Sequence, residues 1–78
     1  MPHLIVKLWP GRSEEDKAKL TQKLIEAMKE SINVTDDSIS IALEEIPKEE
    51  WNEKVYKQDI MKNVDKLYKK PGYKPEEI

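Results

Sequence analysis

Along residues 2–9 apolar side chains alternate, with Leu4, Val6 and Leu8 on one face and His3, Ile5, Lys7 and Trp9 on the other. That period of two predicts a β-strand, and Ile5 with Trp9 makes its second face partly apolar, so the strand is expected to be covered on both sides. Pro10-Gly11 marks a loop. The period then changes. Leu20, Leu24, Ala27, Met28 and Ile32 recur at helical spacing and predict one apolar stripe on a helix from about Glu14 to Ser31, ending near Asn33. Ser13 suits the N-cap, with Asp16 three residues on as a shortened capping box. Glu14, Glu15 and Asp16 fall in the first turn, where the helix dipole favours negative charge.

After a turn at Thr35-Asp36-Asp37, residues 38–46 return to alternation, with Ile39, Ile41 and Leu43 set against Ser40, Ala42 and Glu44. Strand, long helix and strand make a β-α-β unit, whose crossover fits a parallel pair and is expected to be right-handed. Pro47 ends the second strand. Residues 49–57 are expected to form a short helix or turn around Trp51. A final helix is expected from about Asp59 to Lys69, carrying Ile60, Val64 and Leu67 inward, with Lys69-Lys70-Pro71-Gly72 as its stop. Tyr73 to Ile78 reads as a tail that lies on a partner or stays loose. The fold class is α/β (α+β), in one domain spanning residues 1–78. Two parallel strands leave an open sheet with uncovered edges, so a dimer or larger assembly is expected, in which a second chain completes a four-stranded sheet.

Composition narrows the function. The 78 residues contain no Cys, so neither a disulfide nor a thiolate zinc site supports this small core. No stretch is apolar enough to span a membrane, the first residues lack a signal-peptide pattern, and a cytoplasmic location is expected. The 14 basic and 16 acidic residues are interspersed, which argues against a nucleic-acid partner. One His among scattered acids offers no metal-ligand spacing. Arg12 is the single arginine among those 14 basic residues. A lone planar fork where lysine serves elsewhere suggests bidentate capture of a carboxylate. Pro2 follows Met1 directly. If Met1 is removed, the Pro2 nitrogen becomes a secondary amine, a base fixed in a ring at a strand end.

Pro2 heading the first strand, Gly11-Arg12-Ser13 after it, Ser38 opening the second strand and Trp51 beyond it together resemble the 4-oxalocrotonate tautomerase family. The spacing agrees from Pro2 to Trp51, about two-thirds of the chain. Pro2-His3, Ser38-Ile39-Ser40-Ile41-Ala42-Leu43 and Lys69-Lys70-Pro71-Gly72-Tyr73 further resemble its dimeric bacterial group acting on phenylenolpyruvate-type acids. The resemblance implies an isomerase that interconverts enol and keto forms of a small 2-oxo acid without a cofactor. It implies Pro2 as general base, Arg12 as carboxylate ligand, and Trp51 with Leu8 as pocket wall. It also implies a homodimer rather than a hexamer, because the added final helix would cover a face that larger assemblies use. At Ser40 the chain departs from the family's prototype, which has a second arginine there. The departure favours a monoacid and leaves the electrophile open among a backbone N–H of the second strand, Ser38 or a partner group. His3, beside the base, is a candidate to tune it or to position substrate. The alternative from another class is an oligomeric module on the same fold that binds a small acid or a protein without turnover.

Overall fold

A computed structural model describes all 78 residues, Met1 to Ile78. Strand β1 (His3–Leu8), helix α1 (Glu14–Ile32) and strand β2 (Ser40–Glu45) form the β-α-β unit. The strands pair in parallel, in a register running from His3 opposite Ser40 to Leu8 opposite Glu45. Backbone bonds extend the ladder at both ends. The Ser40 N–H donates to the Pro2 carbonyl at 3.2 Å, and the Ile46 N–H donates to the Leu8 carbonyl at 2.8 Å.

Strand β2 starts later than its apolar pattern does. Ser38 belongs to a 3-10 turn, Asp36–Ser38. Its hydroxyl donates to the Thr35 carbonyl at 2.8 Å, and its N–H donates to the same oxygen at 3.1 Å. Such local bonds compete with a sheet ladder, so pairing begins only at Ser40.

Helix α1 has the expected bounds. The Ser13 hydroxyl accepts from the Asp16 N–H at 3.0 Å, and Asn33 closes the helix in the left-handed region at φ 55°, which Asn tolerates better than most residues. Leu20, Leu24 and Met28 are half-buried, whereas Ala27 and Ile32 are exposed. Lys17 bridges Glu14 of its own first turn at 3.2 Å and Glu45 at the end of β2 at 3.5 Å. By register, Glu45 shares a face with Leu4, Val6, Leu8, Ile41 and Leu43, so α1 lies on that face.

The C-terminal third departs from expectation. A 3-10 turn at Lys48–Glu50 runs through Trp51 into a π-helical segment, Asn52–Ile60, followed by a 3-10 segment, Met61–Lys66. Helical structure thus begins well before Asp59 and stops at Lys66, and Leu67 is already extended. Val64, expected inward, is 40% exposed, while Ile60 and Leu67 are half-buried. Ion pairs one turn apart, Lys54 with Glu50 and Lys57 with Glu53, favour a helix over residues 50–57. Asn63 sits at a kink with φ −125°, ψ 31°. Its side-chain amide donates to the carbonyls of Gln58 at 3.3 Å and Asp59 at 3.1 Å, which satisfies groups near the change of helix type.

This irregular helix crosses the other face of the sheet, where His3, Ile5 and Lys7 lie beside Ser40, Ala42 and Glu44. Lys7 Nζ meets Asp59 at 2.5 Å, and Val55, at 5% exposure, is the one buried residue. The tail folds onto its own chain. The Asn52 amide donates to the Pro75 carbonyl at 3.4 Å, and a last 3-10 turn, Pro75–Glu77, is capped by Glu77 Oε1 accepting from the Lys74 N–H at 2.9 Å. The chain measures 40 × 32 × 18 Å with a radius of gyration of 14.2 Å, against about 11.5 Å for a compact domain of this length. The flat shape follows from a two-stranded sheet whose outer edges are unpaired. No helix is long and apolar enough to cross a membrane.

Candidate active site

The residues singled out from the sequence separate into two groups at opposite ends of β1. At the C-terminal end lies a cavity of about 440 Å³, walled by Leu8, Trp9, Arg12, Trp51 and Tyr73 with Lys7, Glu77 and Ile78 at its margin. Gly11, at φ 120°, takes a backbone conformation that side chains resist, and so turns the chain from β1 toward α1. That turn carries Arg12 back over the strand end, where its Nη1 donates to the Trp9 carbonyl at 3.3 Å. This is one of five guanidinium N–H donors, so the others remain for a ligand.

The walls are aromatic. Trp9 and Trp51 meet edge to face, with centroids 6.4 Å apart and planes at 88°. The Trp51 Nε1–H donates to the Tyr73 hydroxyl at 3.0 Å. Lys48 Nζ stands 5.5 Å from the centre of the Trp9 ring, within cation–π range. An arginine fork beside ring edges suits a ligand with a carboxylate at one end and a flat apolar body at the other.

At the N-terminal end, Pro2 is half-buried and Met1 is 98% exposed. His3 Nδ1 and Ser40 Oγ lie 2.7 Å apart across the sheet. Leu8 is six positions along the strand from Pro2, a separation of roughly 20 Å at about 3.3 Å per residue. Within one chain, therefore, Leu8, Arg12 and Trp51 come together, Pro2, His3 and Ser40 come together, and the two groups stay apart. The Ser38 hydroxyl donates its proton to the Thr35 carbonyl, so it is not free as a donor to either group. Trp9 and Tyr73 are site residues that the sequence reading missed. The apolar pattern marks Trp9 only as cover for the strand, and Tyr73 falls in the C-terminal tail. No three His, Cys, Asp or Glu side chains converge as a metal site.

Lys7 ties β1 to the Asn52–Ile60 helix through Asp59. Its ammonium pKa is raised above the usual lysine value, chiefly by the hydrogen bond to Asp59. Desolvation opposes the shift, and the charges of Asp59 and Glu44 add to it.

Residues 2–53 match the family model described as "Tautomerase enzyme". Tautomerase PptA of Pectobacterium carotovorum subsp. carotovorum (strain PC1) is 40% identical over 74 residues, covering 94% of this chain and 97% of that protein. Among solved structures, YwhB, a homologue of 4-oxalocrotonate tautomerase, is similar with a TM-score of 0.59 at 36% identity, over 60% of this chain and 77% of its own. TomN, a 4-oxalocrotonate tautomerase homologue in the tomaymycin biosynthetic pathway, has a TM-score of 0.62 at 32% identity, over 64% of this chain and 77% of its own. With a family model covering most of its length and a relative of this identity over nearly all of it, the chain belongs to the tautomerase family.

Proposed function

We propose that this tautomerase interconverts the enol and keto forms of a small 2-oxo monoacid, with Pro2 as general base once Met1 is removed. Arg12 binds the carboxylate, and Leu8 and Trp51 wall the pocket. The observation that carries the reading is the division of the site between the two ends of β1, next to an unpaired sheet edge. Each end is half of a catalytic arrangement. Antiparallel pairing of β1 with the β1 of a second copy would bring Pro2 of one chain beside the cavity of the other, so the active unit is a homodimer with a four-stranded sheet.

The chemistry follows from that juxtaposition. A free prolyl amine is too basic to be largely neutral near neutral pH. Burial against aromatic walls and a neighbouring guanidinium both disfavour its ammonium form and lower its pKa toward the useful range. The ring fixes the direction of the nitrogen. The amine takes and returns one proton, so the reaction needs no cofactor, and the flat aromatic cavity favours an aryl-substituted acid. A cytoplasmic location belongs to the same reading, consistent with a chain that uses no cysteine. The alternative of a binding module without turnover gives way to the tautomerase relatives.

The test uses protein whose loss of Met1 is verified by mass. Pro2→Ala with a free amino terminus is expected to slow phenylenolpyruvate ketonisation by at least about tenfold. An unchanged rate would remove Pro2 from the mechanism.

A further inference from the structure

An enol–keto transfer places negative charge on the substrate oxygen, and the prototype's arginine is absent at Ser40. The sheet offers another donor. His3 stands opposite Ser40 in register, with Nδ1 at 2.7 Å from the hydroxyl. The Ser40 N–H also holds the Pro2 carbonyl at 3.2 Å, so the base and this pair belong to one ladder. Both residues are exposed.

Strand parity gives the pair a direction. If two β1 strands run antiparallel with both α1 helices on one side of the sheet, odd positions oppose odd positions. His3 then shares a face with the partner's Lys7 and the partner's Trp9, both of which border the cavity.

Resting on the Pro2 reading above, we infer that the His3–Ser40 pair is the hydrogen-bond donor to the substrate oxygen. A neutral imidazole has one donor and one acceptor nitrogen. The Ser40 hydroxyl donates to Nδ1, which leaves the ring proton on Nε2 and that N–H free for substrate. In the reaction, the Pro2 nitrogen takes the enol O–H proton, and the oxygen electron pair left behind forms the C=O bond. The carbon–carbon π pair takes the proton back from the prolyl ammonium at the adjacent carbon. Atoms and charge balance, and His3 transfers no proton. Its Nε2–H stabilises the oxygen only while that atom carries charge, so its contribution falls on kcat.

Two measurements on Met1-processed protein test this. Two-bond ¹H–¹⁵N correlation of the neutral His3 ring is expected to show Nε2 protonated and Nδ1 bare, with Nδ1–H appearing in Ser40→Ala. A wild-type ring protonated at Nδ1 would overturn the assignment, whatever the variants do. In kinetics, His3→Phe is expected to lower kcat about 10- to 100-fold with KM changed less than about threefold, and His3→Gln, which keeps an N–H donor, to recover most of the loss. A His3→Phe kcat within about twofold of wild type, alongside a slow Pro2→Ala, would overturn the pair's role alone. A Pro2→Ala at the wild-type rate would instead bring down the reading on which it rests.

Discussion

The Trp51 indole N–H donates to the Tyr73 hydroxyl at 3.0 Å, across 22 positions of sequence. The Tyr73 ring also tilts against Tyr56, with centroids 5.7 Å apart, and Trp51 meets Trp9 edge to face. Four aromatic rings thus form a continuous row, and the tail sets the position of the cavity wall.

Tyr73→Phe keeps the ring and removes the hydroxyl. The partly buried indole N–H then loses its partner, at a cost of about 1 kcal/mol. A lower Tm is expected, together with a KM for an aryl 2-oxo acid raised by about two- to fivefold, as Trp51 gains freedom. An unaltered KM would mean that packing alone holds Trp51.

Arg12→Leu removes the fork from the cavity. Hydrogen bonds to charged groups contribute about 1.5–3 kcal/mol, so KM is expected to rise roughly 10- to 100-fold, with a smaller change in kcat. Arg12→Lys should recover only part of the loss, because a point charge does not reproduce two parallel N–H bonds. Steady-state kinetics on both variants check the order.

The Lys7–Asp59 pair predicts a pH dependence of stability. The folded-state pKa of Lys7 is raised, first by its hydrogen bond to Asp59 against the opposing effect of desolvation. Its stabilisation is therefore complete below the unfolded lysine pKa, about 10.4, and is lost as pH rises through the folded value. Lys17 and Lys29 shift in the same direction, chiefly through hydrogen bonds to Glu14 and Asp36. Thermal melts should show Tm falling across this alkaline range. Asp59→Asn should flatten part of that fall without abolishing it.

Ser13→Ala deletes the N-cap acceptor of α1. A loss of about 1 kcal/mol is expected in chemical denaturation. KM should stay unchanged, since the cap does not line the cavity. A large KM change would show that α1 moves when its first turn loosens.

The β-α-β unit was legible because Leu4, Val6 and Leu8 alternate and because Ser13 and Asn33 mark both helix ends in the sequence. The later helix was not. Trp51, Val55 and Ile60 are spaced by four and then five, which drifts out of a 3.6-residue period but suits a segment with i→i+5 bonds. A regular helical period instead turns Val64 inward, where the structure leaves it 40% exposed. At the candidate site, residue type singles out Pro2, Arg12 and Trp51, but it does not show that Pro2 lies at the other end of β1 from the cavity lined by Leu8, Arg12 and Trp51. The rise of an extended strand keeps them apart in one chain.

Val55 is alone in being buried, and the β1 edge is open. A chain built this way has little to hold it folded at high dilution. Its melting temperature should climb with protein concentration, as association favours the folded form by mass action. Because each proposed site draws Pro2 from one copy and Arg12 from another, turnover per subunit should fade along the same dilution curve, and a bound acid that bridges both copies should shift that curve to lower concentration.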